Sequence, residues 1–299
     1  MQENPPTSMQ SWLLAIRPKT LPAAVGPVLV GCGVALGEGK FSPVAAFACL
    51  LGAMLLQIGV NLANDYFDFK NNIDSEERLG PVRVTQSGLI SPSMVRLGMI
   101  ISLALASLVF LYLALVGGPV IVVIGIASVL AALGYSGGPF PLASNGLGEL
   151  FVFIFFGLVA VGGTYFIQAG QLSWLVMAAA VPPGLLITAI MVVNNLRDID
   201  TDRKAGKRSL AVILGRRGTI IEYKLLLLIS YLIPVALFIA GQCSAVVLLP
   251  LLTVVMGFGL ARKIGSEEGK SLNAVLAATA QLSLVYSLLF SVGLVFGMN

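Results

Sequence analysis

Two short acidic runs carry the chemistry available to this sequence. The first reads Asn61-Leu-Ala-Asn64-Asp65-Tyr-Phe-Asp68-Phe-Lys-Asn-Asn72-Ile-Asp74, and the second Asn194-Asn195-Leu-Arg197-Asp198-Ile-Asp200-Thr-Asp202. Helical residues three or four apart share a face. Asn61 with Asp65, Asn64 with Asp68, and Asp65 with Asp68 meet that spacing, as do Asn194, Asp198 and Asp202 in two steps of four. Each run therefore predicts a column of carboxylate and amide oxygens. Carboxylates so close repel one another unless a cation or basic groups neutralise them. Mg²⁺ suits such donors: it is a hard ion that takes one or two carboxylates, keeps waters, and completes its shell with phosphate oxygens. Basic residues follow both runs: Arg78 and Arg83 the first, and Arg203, Lys204, Lys207 and Arg208 the second. Arginine matches phosphate with a fork and lysine with a point charge. Acid column, metal and basic loop, stated twice, predict a diphosphate held between two metal ions. The competing reading of either run alone is a solvated helix end beside a loop that is basic for topological reasons.

The elements that must position these runs are membrane helices. Of the 299 residues, 57% are hydrophobic and 11% charged, against about 25% charged in soluble domains. A span needs about 20 mostly apolar residues. Nine windows qualify, near 20–37, 43–66, 94–116, 119–135, 148–167, 173–194, 222–240, 244–261 and 273–296. The first eleven residues lack the apolar stretch of a cleavable signal, so the first window is expected to remain as a span. With the N-terminus in the cytoplasm, 17 of the 18 Lys and Arg residues fall on the cytoplasmic side and only Lys40 on the other. The positive-inside rule selects this orientation, which puts the C-terminus on the opposite side. The acidic runs end the second and sixth windows. Four spans separate them, an even number, so both emerge on one face. The corresponding spacing of the runs hints at two pseudo-repeat halves, about 1–140 and 141–299, within a single membrane domain.

There is no histidine, which removes Ser-His and Cys-His catalysis and His-ligated metals. Cys32, Cys49 and Cys243 lie in apolar stretches without C-x-x-C spacing, and are read as small buried hydrophobes. A secondary transporter is the reading from a different class. Transporters place ionisable groups near the bilayer midplane, whereas here they gather at helix ends on one face.

At the two runs the sequence resembles the UbiA-type intramembrane prenyltransferases. Asn64-Asp65-x-x-Asp68 matches the front of that family's NDxxDxxxD motif, and Asp198-x-x-x-Asp202 its DxxxD motif. The branch that prenylates 1,4-dihydroxy-2-naphthoate is the most similar, through Arg17-Pro-Lys-Thr20, Asn64–Phe69 with Asp74, Arg78-x-Gly-Pro-x-Arg83, Tyr135-Ser-Gly-Gly-Pro139, Gly148-Glu-Leu-Phe151 and Asn195–Arg208. Asn72 stands where the general motif has a third Asp, and Pro139 where other branches place a Lys; Arg78 or Arg83 is the expected substitute.

The resemblance implies an all-α membrane fold of nine helices around a central cavity open to the cytoplasm. It implies a Mg²⁺-dependent enzyme of the cell membrane that moves a polyprenyl group from its diphosphate to an aromatic acid. With dihydroxynaphthoate, loss of CO₂ and oxidation lead to demethylmenaquinone; 4-hydroxybenzoate is the alternative acceptor. The expected metal set is Asn64, Asp65, Asp68, Asp74, Asn194, Asp198 and Asp202. The diphosphate set is Arg78, Arg83, Arg203, Lys204, Lys207 and Arg208. Arg17 and Lys19 could hold the acceptor carboxylate, or simply anchor the first span. Glu149 could accept a proton from the acceptor hydroxyl, or favour its helix N-terminus. Tyr135 or Phe67 could face the developing allylic cation, or only pack.

Overall fold

The computed structural model describes residues 6–71 and 79–298. Asp74 and Arg78, with Asn72, lie outside the described residues. The described chain is helical, apart from an isolated β-bridge between Cys243 and Met298. Its principal helices are α1 (Ser8–Ile16), α2 (Pro22–Gly37), α3 (Pro43–Lys70), α4 (Pro92–Gly117), α5 (Pro119–Ser136), α6 (Gly148–Ala169), α7 (Trp174–Arg197), α8 (Ile199–Lys204), α9 (Leu210–Ile239), α10 (Ala245–Ser266) and α11 (Leu272–Gly297). Among the described residues eight helices are long and apolar enough to cross a membrane, and the bent pair before Gly37 makes a ninth if it is one span.

All nine expected windows fall on these helices, and the departures have local causes. Before the first window, α1 starts on a capping box between Thr7 and Gln10 and ends at Arg17, whose φ of 55° is left-handed. Pro18 and Pro22 then set a 44° turn into α2. The fifth window is interrupted by a π-helical turn, Phe153–Val159. The seventh begins earlier than hydropathy suggests, at Leu210, because Arg216, Arg217 and Lys224 depress the average there; Gly215, at φ 67°, breaks its first turns from the rest. The eighth opens as a 3₁₀ stretch, Ala245–Thr253, that contains Pro250.

One helix is central. In α7, 72% of the apolar window is buried, against 28–39% for the other seven candidate spans. It packs against α6, α9, α11 and α2. The exposed apolar side chains of the outer helices, such as Leu108, Leu115, Val123 and Leu228, form the surface that lipid requires. The tight contacts use small residues, as membrane helix packing does. At Gly184 of α7 an added Cβ would lie 2.8 Å from Gly157 Cα, which belongs to the π-helical turn of α6, and 3.0 Å from Phe153 Cδ2. Backbone meets backbone there, so no side chain can yield. Gly184→Val is therefore expected to cost about 1–3 kcal/mol by overpacking and to lower the melting temperature of the detergent-solubilised protein. Gly163→Ala, where a Cβ would meet nothing within 4 Å, should leave it unchanged.

Away from the acidic runs, Glu38 and Lys40 pair with each other at 2.7 Å, and the Tyr165 hydroxyl donates to Glu38. Burial acts to raise the Glu38 pKa, but its bonds to Lys40 and Tyr165 outweigh this and hold it below the ordinary carboxylate value. These two charges satisfy each other.

Candidate active site

The last turns of α3 carry the first acidic run. Asp65 is 1% exposed and Asp68 6%. Both face the segment that follows, residues 79–91, but do different work. Asp65 accepts the backbone N–H groups of Val84 (Oδ2, 3.2 Å) and Thr85 (Oδ1, 3.0 Å). Asp68 pairs with Arg83, itself 6% exposed. A carboxylate accepting two backbone bonds holds the segment down, and so sets Arg83 against Asp68. Asn64, one turn before Asp68, accepts a 2.6 Å bond from Ser136 Oγ at the end of α5.

The second run does not form one continuous helical column. α7 stops at Arg197, Asp198 caps it at φ −96° and ψ 8°, and α8 then carries Asp200 and Asp202. The step from Asp198 to Asp202 survives through a backbone bond from Asp202 N–H to Asp198 O at 2.8 Å. Lys207 closes back on Asp202 at 3.3 Å.

Arg197 joins the parts. Its Nε and Nη2 donate to the two oxygens of Asp198 at 2.8 and 2.6 Å, its Nη1 to Asn273 Oδ1 at 2.8 Å, and its Nη2 also to Asn194 Oδ1 at 2.8 Å. Asn273 in turn donates to Leu79 O at 3.1 Å. The guanidinium lies so close to Gly80 that a Cβ there would stand 2.7 Å from Nη2. The ends of α3 and α7, the start of α11 and the segment after residue 79 therefore meet in one place. Asp68 and Asp202, one from each run, both bear electrostatically on the Tyr135 hydroxyl, with Glu149. That hydroxyl donates to Met191 Sδ at 3.0 Å.

A cavity of about 350 Å³ opens at this junction. Its polar end carries Arg17, Lys19, Thr20, Asn61, Asn64, Tyr135 and Asn194; its remaining wall is mostly apolar, from Leu56, Val60 and Phe110 to Phe155, Phe156 and Ile187, with Gln57, Ser128 and Thr164 among them. A cavity with one ionic end and a long apolar wall suits an amphiphile with a charged head and hydrocarbon tail.

Some expected residues stand elsewhere. Arg203 pairs with Asp200 at 3.4 Å with both side chains largely exposed, and Arg208 and Lys204 are exposed as well. None of the three lines the cavity, and neither do Asp65, Asp68, Arg83, Asp198, Asp202, Lys207 and Glu149; the two acidic runs reach its wall through Asn61, Asn64 and Asn194. Phe67 packs edge-on against Tyr66 and touches Gly137, and does not line the cavity either. Glu149 is 5% exposed and accepts a 2.7 Å bond from Asn195 Nδ2. Among the described residues no three carboxylates or thiols converge as a metal group. The donors that do gather are carboxylate and amide oxygens, which is the chemistry Mg²⁺ takes when phosphate supplies part of its shell.

Comparison with known proteins places the chain. Residues 24–285 match the UbiA prenyltransferase family. The 1,4-dihydroxy-2-naphthoate octaprenyltransferase of Mycobacterium tuberculosis is 38% identical over 290 residues, which cover 97% of this chain and 98% of that one. The Escherichia coli protein of the same name is 38% identical over 244 residues, 80% and 79% of the two chains. Among solved structures, a UbiA homolog from Archaeoglobus fulgidus bound to GPP and Mg²⁺ superposes with a TM-score of 0.69 at 17% identity, covering 95% of this chain and 99% of that chain.

Proposed function

The chain belongs to the UbiA prenyltransferase family, and from that membership we propose that it transfers a polyprenyl group from polyprenyl diphosphate to 1,4-dihydroxy-2-naphthoate. Diphosphate and CO₂ leave, and the product is the reduced form of demethylmenaquinone. The observation that carries this reading is the cavity whose polar end is lined by Asn64 and Asn194 of the two acidic runs, with Arg17 and Lys19, and whose wall behind it is mostly apolar. The likeness to naphthoate octaprenyltransferases over 80–97% of the chain supports the acceptor. We read the bent α1–α2 pair as one span, which gives nine, with the cavity opening at the cytoplasmic face; the 17-to-1 division of basic residues supports that orientation.

Asp68, Asp198 and Asp202, with Asn64 and Asn194, would hold Mg²⁺, and Asp74 would complete the set. When bound, Mg²⁺ neutralises the diphosphate and stabilises it as a leaving group. Asp65 serves by fixing the segment that carries Arg83. Arg83, with Arg78, binds diphosphate oxygens as the C–O bond breaks, and Lys207 supports Asp202. Tyr135 presents its ring to the allylic centre, where a π-face favours positive charge. The apolar wall excludes water from that centre and accommodates the tail. Arg17 and Lys19 hold the acceptor carboxylate, so that the carboxyl-bearing ring carbon attacks. The new C–C bond forms there, the carboxylate leaves as CO₂, and its electron pair restores the ring.

Purified protein given farnesyl diphosphate, Mg²⁺ and a mixture of dihydroxynaphthoate and 4-hydroxybenzoate tests the reading. Mass spectrometry should find the prenylated, decarboxylated naphthalene diol and diphosphate. Prenylated hydroxybenzoate as the main product would overturn the acceptor assignment, and no diphosphate release would overturn the activity.

A further inference from the structure

Gln57 lies two turns of α3 before Asn64 and is 9% exposed. It lines the cavity, yet none of the residues named for metal, diphosphate or carboxylate involves it. Its Oε1 is buried, and among the described residues no donor meets it. The amide orientation follows from its neighbours. Ile16 O can only accept, so the Asn61 atom 2.8 Å from it is the amide nitrogen, which also reaches Thr20 Oγ1 at 2.9 Å. Asn61 therefore turns its oxygen to Gln57, and Gln57 must answer with Nε2, at 3.4 Å. That leaves Gln57 Oε1 as an acceptor without a donor among the described residues, in a side chain of the cavity wall beside Asn61. A buried acceptor left unmet is costly, and a side chain with this geometry awaits a hydroxyl or N–H from whatever fills the cavity.

Which occupant supplies it follows from position. A prenyl tail has no donor, and diphosphate has none to spare among metals and arginines. The acceptor ring has hydroxyls. Asn61 stands between Gln57 and the α1–α2 corner that bears Arg17, Lys19 and Thr20, all at the same end of the cavity. We propose that Gln57 is the specificity-determining residue for the aromatic acceptor, with its Oε1 accepting the ring hydroxyl remote from the carboxylate that Arg17 and Lys19 hold. The assignment rests on the function proposed above and names the contact by which that acceptor is chosen.

The test compares two acids, 1,4-dihydroxy-2-naphthoate and 1-hydroxy-2-naphthoate, which lacks the remote hydroxyl. A site built to bond a hydroxyl rejects the analogue that lacks it far more strongly than an apolar pocket does. Wild type should prefer the dihydroxy acid by at least about tenfold in kcat/KM, a low figure for such a contact. In Gln57→Met, of similar shape but without the acceptor, that preference should fall to about unity, with the KM for prenyl diphosphate unchanged; Gln57→Leu provides a second variant should the first not insert. A preference retained in an active Gln57→Met or Gln57→Leu variant would overturn the assignment. Wild type that turns over neither acid, while releasing diphosphate with another acceptor, would instead overturn the function reading.

Discussion

Asp68→Asn inserts into the membrane and folds, yet loses turnover by about 10²–10³-fold or more, the scale seen when one electrostatic group acting on a developing charge is removed. The substitution keeps the shape, but removes the charge and replaces one acceptor oxygen with an N–H donor. That charge pairs with Arg83, and under the proposed function it is also one of the negative ligands of the diphosphate's cation. Without it Arg83 loses its pairing with Asp68, and the head group meets one negative ligand fewer. The release of diphosphate from farnesyl diphosphate, followed against Mg²⁺ concentration, checks this. The variant should show both a lower plateau and a higher Mg²⁺ requirement. A variant with the wild-type plateau and Mg²⁺ dependence would remove Asp68 from the reacting site.

Arg197→Met should damage stability and turnover together. The Arg197 side chain is 1% exposed and Asp198 15%, and the guanidinium bonds Asp198, Asn194 and Asn273 at once. Removing one partner of a buried ion pair costs about 3–5 kcal/mol, because the remaining charge is left uncompensated. Asp198 then loses the two bonds from Arg197 to its carboxylate, and α11 loses the bond that Asn273 accepts from the end of α7. The melting temperature in detergent should fall clearly and turnover should fall at least about a hundredfold, the lower end of what a misplaced active-site group costs. Arg197→Lys keeps the charge but cannot present the planar fork, so it should recover part of the stability and little of the activity. A melting temperature equal to wild type in Arg197→Met would show that this junction does not hold the helix ends together.

Arg197 also marks where reading the chain in order falls short. In the sequence it is a basic residue inside an acidic run and on a basic face, one of many. Nothing local separates it from Arg203 or Arg208, which follow the same run. Yet Arg197 is buried at a junction of four segments, while Arg203 and Arg208 are exposed and lie off the cavity. The difference lies in what stands opposite: Asn273, 76 residues on, and the segment after residue 79. Asp65 and Asp68 show the same divergence within one turn. Spacing made them equivalent ligands, but the chain folding back over α3 gave Asp65 two backbone N–H groups and gave Asp68 an arginine. Gln57 carries no local signal at all, since a lone glutamine in an apolar span is noticed only when its neighbours show which end of its amide is left over.

The sequence alone determined the class of structure and of chemistry. Lengths of apolar residues set the spans, because the bilayer imposes one thickness on every helix. Even spacing in spans put both acidic runs on one face, and their oxygen donors at helical intervals pointed to a divalent cation and diphosphate. Only the tertiary structure decided which charges are buried in pairs and which stand exposed. Periodicity assigns a side chain to a face of its own helix, whereas burial, ion pairing and cavity access depend on residues from other helices, brought close by packing around α7.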